Sequence, residues 1–263
     1  MAIIFQCREL NNQEVFQACS TRREGNLALH TGDSQAEVLE RRARFLNYFG
    51  CSLDDLVTGE QTHGTRVGVV TRAMAGLGAR DQRTAIPGTD ALITRERGVV
   101  LGIFTADCLP VFFYDQDTPA VGIVHAGWRG TINRIVQITL EEMAAQFQTD
   151  PARCLVGFGP GIGPECFQVE PRIAQQFSEV FPETVSAVIT DGAAVATEAG
   201  ERYQVDLVKF NIRLLQAAGI LEHQIFPSNL CTRCHSAEYF SYRAEAGGAG
   251  RMMSIIALKK GAG

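Results

Sequence analysis

Five short apolar runs, at residues 66–70, 90–94, 99–104, 111–114 and 120–125, follow one another through the middle of the chain. Gly, Pro and Asp punctuate them, as strand ends require, so a sheet must occupy the centre of the fold. Residues 15–20, 154–158 and 253–258 read as further strands, and 3–5 as a short one. Helical patterns alternate with these. Ser34 and Glu37 have capping-box spacing ahead of a helix over 34–49, and Gly50 is placed as its stop. Val38, Ala43, Phe45, Leu46 and Phe49 form its apolar stripe, while Arg41, Arg42 and Arg44 are expected on its solvated face. A second helix is expected from about Thr131 to Phe147, where Ile132, Ile135, Val136, Leu140, Met143 and Phe147 recur at amphipathic spacing. Residues 171–180 and 206–218 read as two more, the first opened by Pro171 and the second ended by Gly219. The alternation predicts an α/β or α+β fold.

The ligand-type side chains fall on the ends of these runs. The chain has five histidines and eight cysteines. His63 lies in a Gly-flanked turn, GEQTHGTRV, before a strand. Cys108 lies in FTADCLPV at the end of one apolar strand, and His125 ends another and opens HAGWRG. Strand ends are where functional groups of α/β folds gather. Gaps of 45 and 17 residues are too long for a finger-type structural zinc and suit a site assembled by the fold. A His, Cys, His set leaves the fourth position of a tetrahedral ion open, as catalytic zinc requires. The same residues allow a Cys108 thiolate nucleophile paired with His63 or His125, oriented by Asp107 or Asp90. A trigonal His₂Cys set is also the blue-copper arrangement. A multicopper laccase needs roughly ten histidines for its coppers, so a conventional laccase centre does not fit five.

Three other motifs carry weaker signals. Cys231-Thr-Arg-Cys234-His235 matches a haem-attachment pattern, yet MAIIFQCREL has no basic leader and does not read as a signal peptide. The expected location is therefore the cytoplasm, with thiols reduced, and packing or a loop near the active site is the favoured role for this motif. GFGPGIGP at 157–164 matches no nucleotide fingerprint and reads as a tight turn. The HxE and PCxxC signature of cytidine deaminases is absent. Trp128 could stack on a planar ligand. Arg22, Arg129, Arg243 and Arg251 are candidates for phosphate or carboxylate recognition.

Composition narrows the partners. The chain has 263 residues, 46% apolar and 20% charged, the profile of one large globular unit spanning 1–263. With 24 basic against 29 acidic residues and a net charge of -5, nucleic acid is disfavoured as the main partner. No stretch approaches the ~18–20 apolar residues of a membrane span. Oligomeric state is left open.

Read in order, STR (20–22), NLALHTGD (26–33), EQTHG (60–64), TDALIT (89–94), TADCLPV (105–111), HAGWRG (125–130), GPGIGPECFQV (159–169), NLCTRC (229–234) and YFSYRAEAGGAGRM (239–252) resemble the bacterial YfiH/PgeF family. This is also called the laccase-domain or polyphenol oxidase family, and it includes purine nucleoside phosphorylases related to the animal protein FAMIN. The resemblance implies a four-layer mixed α/β/β/α sandwich akin to the catalytic fold of the cytotoxic necrotising factor deamidases. It implies a metal on His63, Cys108 and His125, usually Zn²⁺ and in some members Cu²⁺. The implied chemistry is phosphorolysis of adenosine, inosine and S-methyl-5'-thioadenosine, and deamination of adenosine. His63, Cys108, His125 and Asp107 are then catalytic candidates, and Arg22, His30, Arg129 and Arg243 candidates for binding purine nucleosides and phosphate. The alternatives are a Cys/His hydrolase or amidase in peptidoglycan precursor editing, since the deamidase relatives use a Cys/His pair, and a copper-dependent polyphenol oxidase. The chain departs from the family at TRREGNL, NLAL, QTHG and SYRAEAGG, all at the expected pocket rim.

Overall fold

The computed structural model describes residues 4–180, 195–197 and 200–260; Ile3, the start of the first expected strand, lies outside them, and Phe5 forms only a bridge to Cys19. In chain order the strands are β1 (Val15–Cys19), β2 (Leu56–Thr58), β3 (Val67–Val69), β4 (Ala91–Thr94), β5 (Val100–Thr105), β6 (Leu109–Asp115) and β7 (Ala120–Ala126). They continue with β8 (Cys154–Phe158), β9 (Gln168–Val169), β10 (Val195–Thr197), β11 (Gly200–Gln204), β12 (Ile225–Phe226) and β13 (Met252–Leu258). The α-helices are α1 (Gln35–Asn47), α2 (Trp128–Ile132), α3 (Ile135–Phe147), α4 (Pro171–Val180) and α5 (Leu207–Ala217). Among the described residues no helix is long and apolar enough to cross a membrane.

Two mixed sheets carry the architecture, in the orders β1-β13-β5-β2 and β12-β8-β6-β7-β4-β3; a small third sheet runs β10-β11-β9. Every residue of β6 and β7 is buried. Side chains alternate across a strand, so a run buried throughout must be covered on both faces. On β6, Val111 and Phe113 enter a core with Val136, Leu140 and Met143 of α3 and Phe210 and Leu214 of α5. Phe112 and Tyr114 point the other way, into a core shared with Val15, Leu101, Ile103 and Ile256 of the smaller sheet. The far face of that sheet meets Phe45 and Leu46 of α1 through Phe16, Val100, Met253 and Ile255. The layers are therefore α1, the four-stranded sheet, the six-stranded sheet and α2 to α5, the mixed α/β/β/α arrangement expected. Truncating one of the central phenylalanines to Ala would cost about 3–5 kcal/mol.

Two expectations are corrected. Arg42 is not on a solvated face: it is 1% exposed. Position 42 follows Val38 by four and precedes Phe45 by three, which places it on the apolar stripe. Its guanidinium donates to the carbonyls of Leu27 (2.7 Å), Gly78 (3.0 Å) and Ala79 (2.7 Å) and lies 4.5 Å from the Phe104 ring centre. The helix expected from Thr131 is two helices, because Arg134 adopts φ +61° between α2 and α3. A left-handed residue breaks the hydrogen-bond ladder and turns the chain by more than a continuous helix allows.

Candidate active site and metal centre

The turn between β5 and β6 sets the position of Cys108. Asp107 there has φ +83°, a conformation that costs a non-Gly residue of order 1–3 kcal/mol. Three hydrogen bonds offset it. The Asp107 carboxylate accepts from Thr232 Oγ1 at 2.6 Å and from the Arg243 backbone N–H at 2.7 Å, and the Asp107 carbonyl accepts from Ile162 N–H at 2.8 Å. Both side-chain oxygens of Asp107 are thus engaged in holding the turn.

His125, 3% exposed, sits near the end of β7. Its ring Nδ1 lies 2.8 Å from Asp90 Oδ1, and its backbone N–H donates to the Asp90 carbonyl at 2.8 Å. Asp90 is fully buried just ahead of β4. The same carboxylate accepts the backbone N–H groups of Thr62 (3.0 Å), His63 (3.0 Å) and Gly64 (2.8 Å). One side chain therefore orients the His125 ring and fixes the loop that carries His63, whose φ is +60°. Of the two carboxylates that the sequence left open as orienters, the fold brings Asp90 to the imidazole.

One ligand atom from each of His63, Cys108 and His125 lies within 4.8 Å of the others. The two imidazole rings are 4.7 Å apart at 72°. Gly127 seals the arrangement: a Cβ there would stand 3.0 Å from Cys108 Sγ and 3.1 Å from His63 Cδ2. Burial acts to raise the Cys108 pKa, but the charge of His125 and hydrogen bonds to His125 and His63 outweigh it and bring the thiol down to about 6. Burial likewise opposes charge on His125, and the Cys108 thiolate and Asp90 carboxylate overcome it, raising His125 to about 9. The donor set suits a borderline transition-metal ion: a thiolate, two imidazoles, and a carboxylate on His125 Nδ1 that leaves Nε2 as the ligand atom.

A cavity of about 970 Å³ opens over this cluster. His30, Asp107, Arg129 and Arg243 line it, as does Trp128. Arg22 does not: its guanidinium is spent on Glu245 (2.6 Å) and the carbonyls of Ser236 and Tyr239. The wall also holds Arg42, Arg172, Arg202 and Arg251, so six arginines face two carboxylates, Asp107 and Glu170, in a chain of net charge -5. Arg129 lies 4.3 Å from the Trp128 ring centre. Arg243 donates to the Gln168 carbonyl at 3.3 Å, beneath the Phe167 ring. His30 is held below its ordinary pKa by burial and by the nearby Arg251 and Arg42 charges. Thr105 Oγ1, buried at the same wall, has no hydrogen-bond partner among the described residues.

Arg42, Arg172 and Arg202 were missed in the sequence. Only the helical register of position 42 could have flagged the first, and nothing local marks the other two. The glycine-rich segment is a packed turn and no anion cradle. Its Gly159, Gly161, Ile162 and Gly163 N–H groups already donate to Pro110 O, Leu230 O, Asp107 O and Cys231 Sγ.

The chain is similar to known proteins along most of its length. It is 34% identical to the purine nucleoside phosphorylase YlmD of Bacillus subtilis over 95% of this chain and 91% of that protein. It is 35% identical to the adenosine deaminase RL5 of an unknown prokaryotic organism, over 89% and 87% of the two chains. The crystal structure of the hypothetical protein YfiH from Bacillus licheniformis superposes with a TM-score of 0.91 at 31% identity, covering 98% of this chain and 97% of that one. With residues 15–259 matched by the family model for multi-copper polyphenol oxidoreductase laccase, the chain belongs to that laccase-like YfiH family.

Proposed function

We propose that the chain is a metal-dependent purine nucleoside enzyme. It cleaves adenosine, inosine and S-methyl-5'-thioadenosine with phosphate, and it deaminates adenosine to inosine in the same pocket. The observation that carries this reading is the meeting, in one cavity, of the His63, Cys108 and His125 cluster with six arginines and the Trp128, Phe104 and Phe167 side chains. The names of the relatives above support the substrate class.

In phosphorolysis a phosphate oxygen bonds to the ribose C1' as the C1'–N9 bond breaks, and the electron pair leaves with the purine, which takes up a proton. Negative charge passes from the phosphate to the departing base while the ribose becomes cation-like. Arg129 and Arg243 are assigned to phosphate, where a planar guanidinium fork binds in two-point fashion. The aromatic side chains cover the base and exclude water. Asp107 keeps the Cys108 turn in place, since its oxygens are committed to Thr232 and Arg243. Asp90 holds His125 in one tautomer. A Zn²⁺ ion on His63, Cys108 and His125 would supply Lewis acidity and lower the pKa of water bound to it.

The test is adenosine turnover by metal-analysed protein, with and without phosphate, products separated by chromatography. Adenine and ribose 1-phosphate that appear only with phosphate, and inosine in either buffer, are the expected products. No product in any buffer would overturn the reading.

One observation favours a second reading. Cys108, His125 and Asp90 also form a thiol, base and orienting-carboxylate chain, with the thiol brought down to about 6. A Cys/His hydrolase or amidase acting on peptidoglycan precursors would use it directly. Turnover that survives complete metal removal and stops on alkylation of Cys108 would favour this alternative; the metal reading requires the reverse. A blue-copper absorption band from copper-loaded protein would instead favour a phenol oxidase.

A further inference from the structure

Away from the first cluster, Cys166, Cys231 and Cys234 bring three sulfur atoms within 4.8 Å of one another. All three are free thiols, and the fold joins Cys166 to Cys234 across 68 positions of sequence. Cys166 follows the glycine-rich turn just before β9, and Cys231 and Cys234 have the C-x-x-C spacing of metal-binding loops.

The Cys166–Cys234 separation is that of neighbouring thiols or of two ligands on one ion, and not that of a disulfide. Cys166 Sγ and Cys234 Sγ are 3.5 Å apart, far beyond the ~2.05 Å of a disulfide bond. Two thiolates about 2.3 Å from one Zn²⁺ span a tetrahedral edge of about 3.8 Å, close to the separation found. The third sulfur has its own support, since the Gly163 N–H donates to Cys231 Sγ at 3.2 Å. A Cβ at Gly163 would stand 3.1 Å from Cys231 Cβ, so the glycine lets that N–H reach the sulfur. A disulfide would use two of the thiols and strand the third; an ion uses all three. Cys234 is exposed, so an ion could reach the cluster from solvent.

We propose that Cys166, Cys231 and Cys234 form a second metal site, separate from His63, Cys108 and His125, that takes one thiophilic ion of the Zn²⁺ class. Its place in the fold gives it a structural task. Thr232, between two of the ligands, is the donor to Asp107 Oδ1, and Arg243 Nη1 donates to the Cys166 carbonyl at 3.4 Å. An ion held here pins the loop that fixes the Cys108 turn and one arginine of the cavity wall.

The test counts zinc per folded chain by native mass spectrometry and elemental analysis on full-length protein exchanged into zinc and then freed of excess. Cys234→Ala, at an exposed position, is expected to hold one ion fewer than the wild type, and Cys231→Ser to behave alike. Cys108→Ala should also lose one ion, and Cys108→Ala with Cys234→Ala two. Iodoacetamide should label Cys234 in the wild type only after a chelator is added. An unchanged zinc count in Cys234→Ala, or a wild-type chain isolated two hydrogens lighter with Cys231 and Cys234 joined, would overturn the proposal. Loss of zinc in Cys108→Ala alone would leave the first site standing and refute only the second.

Discussion

Replacing Asp90 with Asn keeps the size of a fully buried side chain and removes its charge. The carboxylate accepts hydrogen bonds at Oδ1 from His125 Nδ1 and His63 N–H, and at Oδ2 from Thr62 N–H, Gly64 N–H and the Thr62 hydroxyl. An Asn offers one oxygen. Its NH₂ group must face two donors if it takes the Oδ1 position and three if it takes Oδ2, so at least two bonds to a charged acceptor are lost. At about 1.5–3 kcal/mol each, and with the loop relaxing to recover some of this, the expected loss is about 3 kcal/mol. For a chain of this length the melting temperature should fall by roughly 6–12 °C. His125 can adapt by switching tautomer and accepting from the Asn NH₂, but its remaining proton then sits on Nε2, the atom needed for the metal. Affinity for Zn²⁺ should drop about 10–100-fold, read by competition with a chromophoric chelator. Burial acts to raise the Asp90 pKa, yet the bonds from His125 and the loop amides hold it below the ordinary 3.8. The stabilisation is therefore complete above about pH 4 and fades as the pH falls further, so the gap between wild type and variant should close in that direction. Equal metal affinity and equal melting temperature at pH 7 would refute the role given to Asp90.

Gly127→Ala places a methyl 3.0 Å from Cys108 Sγ, and because the backbone there (φ -75°) accepts any residue, turnover should fall at least about tenfold with circular dichroism unchanged. In metal-free protein, alkylation of Cys108 by iodoacetamide should rise with a midpoint at about 6, and in His125→Ala the midpoint should move up towards the ordinary thiol value of about 8.5. Arg22→Ala should leave the KM for phosphate within about twofold while lowering thermal stability, because Arg22 pairs with Glu245 outside the cavity. Arg243→Ala should raise the same KM by about tenfold or more, the loss of roughly one charge-assisted contact.

The layers were readable because the central strands are apolar on both faces and sharply bounded. The helix expected at 171–180 matches α4, since Pro171 supplies a first turn with no N–H to satisfy. The three residues that the fold brings together, His63, Cys108 and His125, were conspicuous for the same reason: they stand at strand ends and loops. What stayed hidden depended on long-range geometry. Arg42 looks solvated as a letter and is buried as a register position. Strand β2 and the β9 to β11 sheet are too short to carry a period. Arg172 and Arg202 reach the cavity only because the small third sheet and α4 fold over it. Cys231 and Cys234 advertise a pair, and only the folded chain supplies Cys166.

Among the described elements β13 is the latest in sequence, yet it lies in the interior of its sheet, between β1 and β5. Apart from the bridge between Phe5 and Cys19, the earliest strand therefore waits for residues more than two hundred positions downstream: Val15 faces Leu258 and Cys19 faces Ser254. On a ribosome the six-stranded sheet can begin to zip up locally through the β6–β7 hairpin, while the four-stranded one stays open until synthesis has passed Leu258. Non-local closure of this kind is slow and leaves apolar edges bare in the meantime. A nascent chain stalled before Met252 would already hold His63, Cys108, His125 and every residue that lines the cavity, but not the strand that ties β1 to β5 behind them.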